Sequence, residues 1–395
     1  MLSQLRQIWA VIQINLLSLK HRRWTSVSGC VAIALAVFVL LGALALDNGF
    51  RHELNNSGAS DVAVVLRAGA GSEVNSSLDR EQQDMLATLV ELAGKPGKPA
   101  VMSPELYINV DVVKKSSKLK ANVSLRGITA TALQVRRGVK LAEGRLFQPG
   151  SNEIVVGRGV NQEFEGLGLG QQLRLHGTNW TVVGIFEAAG SVFESEVWAD
   201  LRVVQGLLNQ GNTIQTVRIG VGLPDQIAEL VAAAKKNPRL TVDIKSEQDY
   251  YAAQAKESTD LITLFGKPLA VLMALGALAG ALNTMYASVA ERGREITTLR
   301  ILGYGRFSAF AGTLAESLVL AGAGAVIGGV AAFAVFNNMS SSMLGAGLST
   351  VVFKMSLSST QLIEAAWWAI IIGLAGGIFP AFRASRQALA LGIVE

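Results

Sequence analysis

The chain has 395 residues, of which 50% are hydrophobic and only 16% charged, and its mean hydropathy is +0.38. This is too apolar for a water-soluble protein of its length, and the apolar residues are concentrated in a few segments. The net charge of +5 does not indicate nucleic-acid binding, because residues 47–260 hold 23 Lys and Arg against 25 Asp and Glu, so the basic excess lies beside the apolar segments.

Residues 1–24 have the spacing of an amphipathic helix, whose apolar side is formed by Leu5, Ile8, Ile12, Leu16 and Leu19. We predict that this cytosolic segment lies in the membrane interface. The alternative is a cytosolic extension of the first membrane span, and the sequence barely separates the two.

Residues 25–46 form the first stretch long enough to cross a bilayer, which takes about 20 apolar residues. Within it, Ala43-Leu44-Ala45 resembles a signal-peptidase site. The apolar run is longer than the roughly 7–15 residues of a signal peptide, and residues 1–24 precede it, so we expect a retained anchor. The single cysteine, Cys30, lies in this run, and the three histidines are scattered, so we predict neither an intrachain disulfide nor a metal site.

Residues 47–260 are mixed in polarity and are expected to fold as a large extracytoplasmic α+β domain in two subdomains. Alternation of apolar residues predicts strands at 61–67, 107–113, 153–156, 172–175, 181–186 and 218–220. Residues 81–93 and 224–236 have the period of amphipathic helices. The glycines of Gly166-Leu-Gly168-Leu-Gly170 are interpreted as turn residues, because no helix start or acidic ribose partner follows them.

The rest of the chain alternates spans and short loops. We predict a second span with an outer stalk at 261–287, a cytosolic segment at 288–308, a third span at 309–336, a short outer loop at 337–358, a fourth span at 359–382 and a cytosolic tail at 383–395. Ten Lys and Arg residues lie beside one set of span ends, whereas the 337–358 loop has only Lys354. Both termini are therefore expected in the cytosol, with the large domain outside.

The cytosolic segment carries a charged, amphipathic run. Ile296, Leu299 and Leu302 are spaced to form one apolar face, and the charged residues around it are Glu291, Arg292, Arg294, Glu295 and Arg300, with Gly303 at the end. Such a run could dock into a groove on a soluble partner. The plainer interpretation is an ordinary interfacial loop that obeys the positive-inside rule.

Within the spans, Glu316 is the most unusual residue, because an ionisable group at that depth should face protein or water. It either makes a buried polar contact or extends to the surface as an ordinary glutamate. Three G-x-x-x-G pairs let helix backbones approach closely and are candidate helix-packing or dimer positions: Gly276/Gly280, Gly324/Gly328 and Gly373/Gly377. Glycine is common in membrane spans, so the pairs alone do not decide between these uses.

Sequence motifs for catalysis are absent. A phosphate-binding loop needs G-x-x-x-x-G-K-[ST], and Gly94-Lys95-Pro96-Gly97-Lys98-Pro99 has the wrong spacing. Neither G-x-S-x-G nor H-E-x-x-H occurs. We therefore expect a non-catalytic membrane subunit that binds no cofactor of its own.

Residues 283–303, which end in Arg292-Gly-Arg294-Glu295-Ile296-Thr-Thr-Leu299-Arg300-Ile-Leu302-Gly303, resemble the motif of FtsX-like (MacB-like) ABC permeases. Residues 15–25 and 379–386 are similar to the family's entry into its first span and exit from its last. Within the outer domain, residues 143–147, 153–157 and 180–184 resemble the MacB-like periplasmic core domain. The stretch 388–395 departs from the family, because it lacks the usual Pro-x-x-Ala-Leu ending.

The resemblance implies a mechanotransmission permease of the bacterial inner membrane, working with a separate ABC ATPase dimer that binds ATP and magnesium, and with a second permease copy or paralogue. It implies export or extrusion from the periplasm or outer leaflet, with a periplasmic adaptor protein as a further partner. The alternatives are an FtsX-like regulator of a cell-wall hydrolase and a lipoprotein-extracting permease. A secondary transporter is disfavoured, because no inverted repeat or pair of broken spans is present.

Overall fold

The structure, a computed structural model, describes residues 2–18, 23–93, 100–136, 138–208, 211–345 and 349–386. The chain divides into two compact units. We call the first the membrane unit, which contains Met1–Asn48, Ile262–Met339 and Met355–Glu395. The second, the outer unit, contains Gly49–Leu261 and Ser340–Lys354.

The described residues of the membrane unit lie largely in six helices. They are α1 (Leu2–Ser18), α2 (Arg23–Asn55), α8 (Glu247–Glu291), α9 (Gly293–Ile301), α10 (Arg306–Phe336) and α11 (Ser359–Ser385), numbered in chain order with those of the outer unit. In α2, α8, α10 and α11, the described residues include a stretch long and apolar enough to cross a membrane. The ends of α2 and α8 belong to the outer unit, since the division falls at Asn48 and at Leu261.

Small residues let the four long helices pack closely. Ala277 and Ala281 of α8, Ala321 of α10 and Ala369 of α11 share one buried apolar cluster with the larger side chains of α2, such as Leu41. Helix α11 begins with a capping box, in which the Ser358 hydroxyl accepts from the Gln361 backbone. Without a hydrophobic driving force between helices in lipid, such close van der Waals packing holds a bundle together.

In the residues that the structure describes, the outer unit contains a sheet of ten strands with helices beside it. The strands are β1 (Val62–Arg67), β2 (Val101–Val113), β3 (Lys120–Ile128), β4 (Lys140–Gly144), β5 (Glu153–Gly157), β6 (Gln172–Leu175), β7 (Thr178–Glu187), β8 (Glu196–Asp200), β9 (Thr216–Gly220) and β10 (Val242–Ser246). The helices are α3 (Arg80–Ala93), α4 (Ala132–Val135), α5 (Arg158–Glu163), α6 (Leu201–Leu208) and α7 (Asp225–Lys235).

The strand order is β10-β1-β9-β2-β3-β8-β5-β7-β4, with β6 paired to β7. The long strand β2 joins the two halves of this sheet, because Val101–Glu105 pairs with β9 and Leu106–Val113 pairs with β3. The expected two subdomains thus share one continuous sheet. One apolar core runs beneath it and includes Leu106, Ile154 and Trp180, all fully buried.

A hairpin between the third and fourth spans also belongs to the outer unit. Strands β11 (Ser340–Leu344) and β12 (Thr350–Lys354) pair antiparallel, within the stretch that was predicted to be only a short outer loop. Phe353 packs edge-on against Phe50 with ring centroids 5.4 Å apart, and the Ser195 hydroxyl accepts from the Val352 backbone at 2.9 Å. The hairpin is thus an integral part of the outer unit.

The predicted strands correspond to β1, the second half of β2, β5, β6, β7 and β9, and the predicted helices to α3 and α7. The first span is longer than predicted, because α2 continues to Asn55. The predicted stalk is also longer, since α8 is one helix from Glu247 to Glu291 with Pro268 inside it. Most of the predicted C-terminal tail, from residue 387 onward, lies outside the described residues.

The N-terminal helix α1 packs on α10, where the Val11 and Asn15 side chains lie against Gly312. Trp9 and Leu17 are exposed on other sides of α1, by 62% and 74%. The predicted apolar side is only half-buried at Ile8, Ile12 and Leu16, so the helix contacts its own chain through a neighbouring stripe.

Candidate functional site

A buried ion pair lies at the junction between α8 and α9. Arg292 follows the last residue of α8 and is 3% exposed. Its Nη1 donates to Glu316 Oε2 on α10 at 2.9 Å, and its Nη2 donates to Asn15 Oδ1 on α1 at 2.5 Å. Glu316, also 3% exposed, accepts a second hydrogen bond from the Ser288 hydroxyl of α8 at 2.8 Å.

This arrangement joins α1, α8, α9 and α10 through one guanidinium. A buried charge is tolerated only when it is paired and hydrogen-bonded, and both conditions hold for Arg292 and Glu316. Of the two interpretations of Glu316, the geometry is that of a buried polar contact rather than a surface glutamate. Removing one member of such a pair commonly costs about 3–5 kcal/mol, because the other charge is left uncompensated.

The apolar residues of α9 do not form one outward face. Ile296 is buried among Val289, Ala384 and Ala309 of the same unit, whereas Leu299 is half-buried. Leu302 is 71% exposed. The three positions differ in burial, so the expectation of a single docking face of Ile296, Leu299 and Leu302 is wrong for Ile296.

The surface that α9 does expose contains both charge and apolar area. We define the α9 outer face by its exposed residues, which are Glu291, Arg294, Glu295, Thr298, Ile301 and Leu302. Ile301 is 58% exposed. Arg300 is half-buried. Gly303 ends the turn with φ +94°, a left-handed conformation that favours glycine and lets the chain reverse towards α10.

Most of the G-x-x-x-G glycines pack inside their own chain. A Cβ on Gly324 would lie 2.8 Å from the Cys30 carbonyl oxygen of α2, and one on Gly328 would collide with the Ala34 carbonyl. A Cβ on Gly373 would lie 2.5 Å from the Ala321 side chain of α10, and one on Gly377 would lie 2.6 Å from the Ser317 side chain of the same helix. The Gly324/Gly328 and Gly373/Gly377 pairs are thus intrachain seams rather than dimer positions in this structure.

The third pair differs. Gly280 lies near Ala32 of α2, where a Cβ would approach the Ala32 methyl at 3.2 Å. Gly276, one turn earlier, has no described atom within 4 Å of such a Cβ. Its backbone is therefore exposed on the surface of the membrane unit.

A second buried charge cluster, which the sequence analysis missed, lies in the outer unit. It consists of Glu73, Glu105, Arg126, Arg136, Glu196, Arg218 and Glu247. Arg126 donates to Glu73, Glu105 and Glu196 at 2.6–3.0 Å. Arg218 donates to Glu105 at 2.6 Å, and its Nε donates to Glu247 at 2.8 Å.

The signal for this cluster is a charged residue inside an otherwise strand-like run, as in Thr216–Gly220 around Arg218. Burial alone would raise the pKa of Glu105, but the charges of Arg136, Arg218 and Arg126 outweigh it and lower that pKa to about 2. For Glu73, burial is opposed by Arg126 and Arg218, and its pKa also falls to about 2. Both carboxylates thus stay ionised at neutral pH.

Aromatic side chains enclose the cluster. Tyr251 accepts from Arg218 Nη2 at 2.9 Å, and Trp198 donates its indole N–H to Glu196 at 2.7 Å. The Tyr107 hydroxyl lies between Ser124 and Ser349, at 2.6 and 2.7 Å, and burial raises its pKa to about 12. The cluster can therefore fix the first turn of α8, which carries Glu247, in the outer unit.

Comparisons with known proteins match two successive parts of the chain. Residues 30–256 match the MacB-like periplasmic core domain family, and residues 269–389 match the FtsX-like permease C-terminal family. The macrolide export ATP-binding/permease protein MacB 1 of Aeromonas hydrophila is 25% identical over 386 residues, covering 90% of this chain and 56% of that protein. The ABC transporter permease YvrN of Bacillus subtilis is 24% identical over 276 residues, 64% of each chain.

Among solved structures, the periplasmic region of MacB from Actinobacillus actinomycetemcomitans is similar with a TM-score of 0.35 and 13% identity, covering 49% of this chain and 91% of that one. The chain spans 56–59% of the length of the MacB relatives it matches. The periplasmic core match and four membrane-capable helices identify an inner-membrane protein with a periplasmic domain. The chain belongs to the FtsX-like, MacB-like family of ABC transporter permeases.

Proposed function

We propose that this chain is the permease subunit of an ABC exporter, and that it transmits conformational change from a separate cytosolic ATPase to its own periplasmic domain. The observation that supports this most directly is α8. One helix, Glu247–Glu291, is held by a buried ion pair at each end: Arg218–Glu247 in the outer unit and Arg292–Glu316 in the membrane unit.

A helix held in this way can transmit movement from one of its ends to the other. Its backbone hydrogen bonds are internal except at Pro268, which has no N–H to donate, and its 45 residues are about twice the roughly 20 that a membrane span needs. Each end pair is nearly inaccessible to water, so separating its charges is costly. A displacement of one end of α8 therefore moves the helix as a whole, because the side chains that hold its ends do not easily rearrange.

The ATPase would bind at the α9 outer face. With the basic span ends in the cytosol, as the charge bias favours, Ile301 and Leu302 supply apolar anchors and Arg294 and Glu295 the surrounding charge. ATP and magnesium would be bound by that partner chain. Movement at α9 reaches α10 through Arg292, which donates hydrogen bonds to Glu295 of α9 and Glu316 of α10, and it reaches α8 because Arg292 directly follows that helix.

A second link runs through the hairpin β11–β12. It connects the third span to the fourth, and Tyr107–Ser349 and Phe50–Phe353 contacts fix it to the outer unit. Movement of α10 or α11 would therefore also act on the periplasmic domain. Export is the favoured activity because the MacB relatives are named as macrolide export proteins. We propose a periplasmic adaptor protein as a further partner, as the sequence resemblance implies.

The docking proposal is tested with paired substitutions in the full chain. Affinity purification in mild detergent first identifies the co-purifying ATPase. Ile301→Ser with Leu302→Ser then removes the exposed anchors; truncating interface anchors costs roughly 2 kcal/mol each, so we expect at least a tenfold loss of ATPase co-purification. Leu141→Ser with Leu146→Ser changes two equally apolar residues, each 42% exposed on the outer unit, and serves as the matched control.

The control is expected to retain the ATPase in full. Ile296→Ala is unsuitable for this purpose, because Ile296 is buried in its own unit and its truncation reports on folding. Unchanged co-purification and stimulated hydrolysis in the Ile301/Leu302 variant would show that the α9 outer face does not bind the ATPase. Recovery of a cell-wall hydrolase or a lipoprotein with the chain would instead favour regulation or extraction over export.

A further inference from the structure

Helices α8 and α11 pack against each other towards their C-terminal ends in the membrane unit. A Cβ on Gly376 of α11 would lie 2.8 Å from the Ala281 side chain of α8. Further along, Ala384 of α11 shares a buried cluster with Val289 of α8 and Ile296 of α9. The inner side of this α8–α11 contact is therefore closed, and only its rim is open to the surroundings.

The exposed rim of the contact carries arginines and aromatic rings. Arg383 Cζ of α11 lies 5.8 Å from the centroid of the Tyr286 ring of α8, and Arg386 Cζ lies 4.0 Å from the centroid of the Phe382 ring. All four side chains are exposed, Tyr286 by 37% and Phe382 by 48%. A guanidinium over an aromatic ring gains a cation–π attraction, and the N–H groups in its own plane remain able to donate hydrogen bonds.

Neither of these guanidiniums has an acidic partner among the residues that the structure describes. Arg292, at the same end of the membrane unit, differs because it donates to both Glu295 and Glu316. Arg383 and Arg386 thus form a positively charged surface with unused donors. The planar fork of a guanidinium matches the oxygens of a phosphate, so these donors suit a phosphate group.

Asn283 adds a polar group deeper in the apolar part of α8. It lies one turn before Tyr286, inside the membrane-capable stretch Val271–Glu291. Its side chain is exposed, and its amide has no hydrogen-bond partner within the described part of the chain. Because an unpaired amide in hydrocarbon is costly, this position calls for an acceptor from outside the chain. A phospholipid supplies one, since its ester carbonyl groups lie just below its phosphate.

We propose that the rim formed by Asn283, Tyr286, Phe382, Arg383 and Arg386 binds the headgroup of an anionic phospholipid in the leaflet beside the basic span ends. The two guanidiniums and the Tyr286 hydroxyl donate to the phosphate, and the Asn283 amide donates to an ester carbonyl of the same lipid. Basic residues next to a span attract anionic lipids. Arginines that serve only to orient a span need neither the rings nor the contact between two helices.

This site goes beyond the proposed function, because it depends on neither the ATPase nor an exported substrate. It lies beside the residues that position α9, since Ala384 directly follows Arg383 and packs with Ile296. A lipid bound there stabilises the junction of α8, α9 and α11.

The test measures lipid binding by the full chain alone in a neutral detergent. Native mass spectrometry during titration with phosphatidylglycerol, and separately with phosphatidylcholine, gives an affinity for each lipid. We expect phosphatidylglycerol to bind more tightly. Arg383→Gln with Arg386→Gln should weaken its binding about thirtyfold, which is about 2 kcal/mol or about 1 for each arginine.

Arg6→Gln with Arg306→Gln is the matched control. These two exposed arginines lie on α1 and at the start of α10, and neither has a described contact with an aromatic ring. We expect this variant to bind phosphatidylglycerol as the unaltered chain does. Because all four arginines are exposed, both double variants should also unfold at the temperature of the unaltered chain when no lipid is added.

Asn283→Leu tests the deeper contact without changing any charge. It keeps the size of the side chain and removes its donors, so we expect phosphatidylglycerol to bind about threefold more weakly, as for a typical hydrogen bond in a membrane. Unchanged binding in this variant would contradict the role of Asn283.

Equal affinities for phosphatidylglycerol and phosphatidylcholine would overturn the proposal, and so would equal losses in the two double variants. Full affinity in Arg383→Lys with Arg386→Lys would also overturn it, because charge at the end of α11 would then suffice without a built site. Displacement of the lipid by glycerol phosphate would identify a site for a soluble phosphate instead of a lipid. None of these results bears on ATPase docking, which is tested at the α9 outer face.

Discussion

Charged residues are buried in both units of this chain, and in each unit they join segments that are distant in sequence. Arg126 contacts Glu73 and Glu196, which come from different parts of the outer unit, and Arg292 joins Glu316 to Asn15. The contacts of Arg126 with Glu73 and Glu196, and that of Arg292 with Glu316, are nearly sealed from water, so these ion pairs act as fixed structural links. Ion pairs on the surface, such as Arg145–Glu153, lack this role.

The buried cluster predicts how the outer unit responds to acid. The folded-state pKa values of Glu73 and Glu105 are lowered to about 2 from a usual 4.5, so their ionised forms stabilise the folded state at neutral pH. This contribution is fully present above about pH 4.5 and is lost as the pH falls towards 2. Tryptophan fluorescence of the full chain in detergent, which includes Trp198 beside Glu196, should therefore report unfolding in that window.

Glu105→Gln should lower the free energy of unfolding at pH 7, because the arginines lose a charged partner. It should also weaken the dependence of that free energy on acid pH, because an amide does not titrate. Glu153→Gln is the matched control. The pKa of Glu153 is also lowered to about 2, chiefly by hydrogen bonds from Arg145, but that pair is exposed and screened by solvent. If Glu153→Gln changed the pH dependence of unfolding as much as Glu105→Gln does, the acid-dependent stability could not be assigned to the buried cluster.

Some of this residue-scale picture could be predicted from sequence. Glu316 was identified because an ionisable side chain inside a span has few allowed environments. Arg292 was identified only as part of a surface motif, although it is the buried partner of Glu316. Spacing along one helix cannot reveal this pairing, because the two residues meet through the turn that follows α9.

The helices of the membrane unit pack with their backbones in close contact at glycine positions. Gly328 of α10 lies against the Ala34 carbonyl of α2, whereas its neighbour Gly329 has no described atom within 4 Å of a Cβ position. Gly324, one turn earlier on the same face as Gly328, is in comparable contact with α2. This seam sets how closely α2 and α10 approach.

The neighbouring glycines offer a matched pair of substitutions. Gly328→Ala forces a methyl group into a backbone carbonyl, so we expect a loss of roughly 1–3 kcal/mol and a lower Tm. Gly329→Ala adds a methyl group to open space and improves helix propensity by about 0.5–1 kcal/mol, so its Tm should stay level or rise slightly. Thermal unfolding of both variants in the same detergent measures the difference; equal Tm values would rule out the α2–α10 seam.

Elements with strong periodicity were predicted well, and those whose burial depends on distant partners were not. Strands β5, β6 and β7 alternate clearly between turns, and α3 and α7 have a helical period. Strand β3 was not predicted, because Lys120 and Arg126 resemble loop residues until β8 and the buried glutamates are brought alongside. The hairpin β11–β12 was missed because its packing surface on the outer unit is formed by residues far away in the chain.

For the whole molecule, the two family matches and the two compact units divide the chain in nearly the same way. Helix α8 takes part in both units and carries a buried ion pair at each end. The proposed mechanism follows from this connection, since α2, α8 and the hairpin between α10 and α11 are the described segments through which movement of one unit can reach the other. In this proposed mechanism, ATP hydrolysis by the partner moves the periplasmic domain.

This movement can be measured as a distance between two spin labels. Labels at Gln148→Cys on the outer unit and Ala331→Cys on α10, in a Cys30→Ala background, report the separation of the two units in the assembled complex with its ATPase. We predict that ATP shifts the distance distribution, and that Arg292→Gln retains the ATPase but loses the shift because the α8–α10 link is broken. Full ATP turnover by the unaltered complex with an unchanged distance distribution would contradict the account.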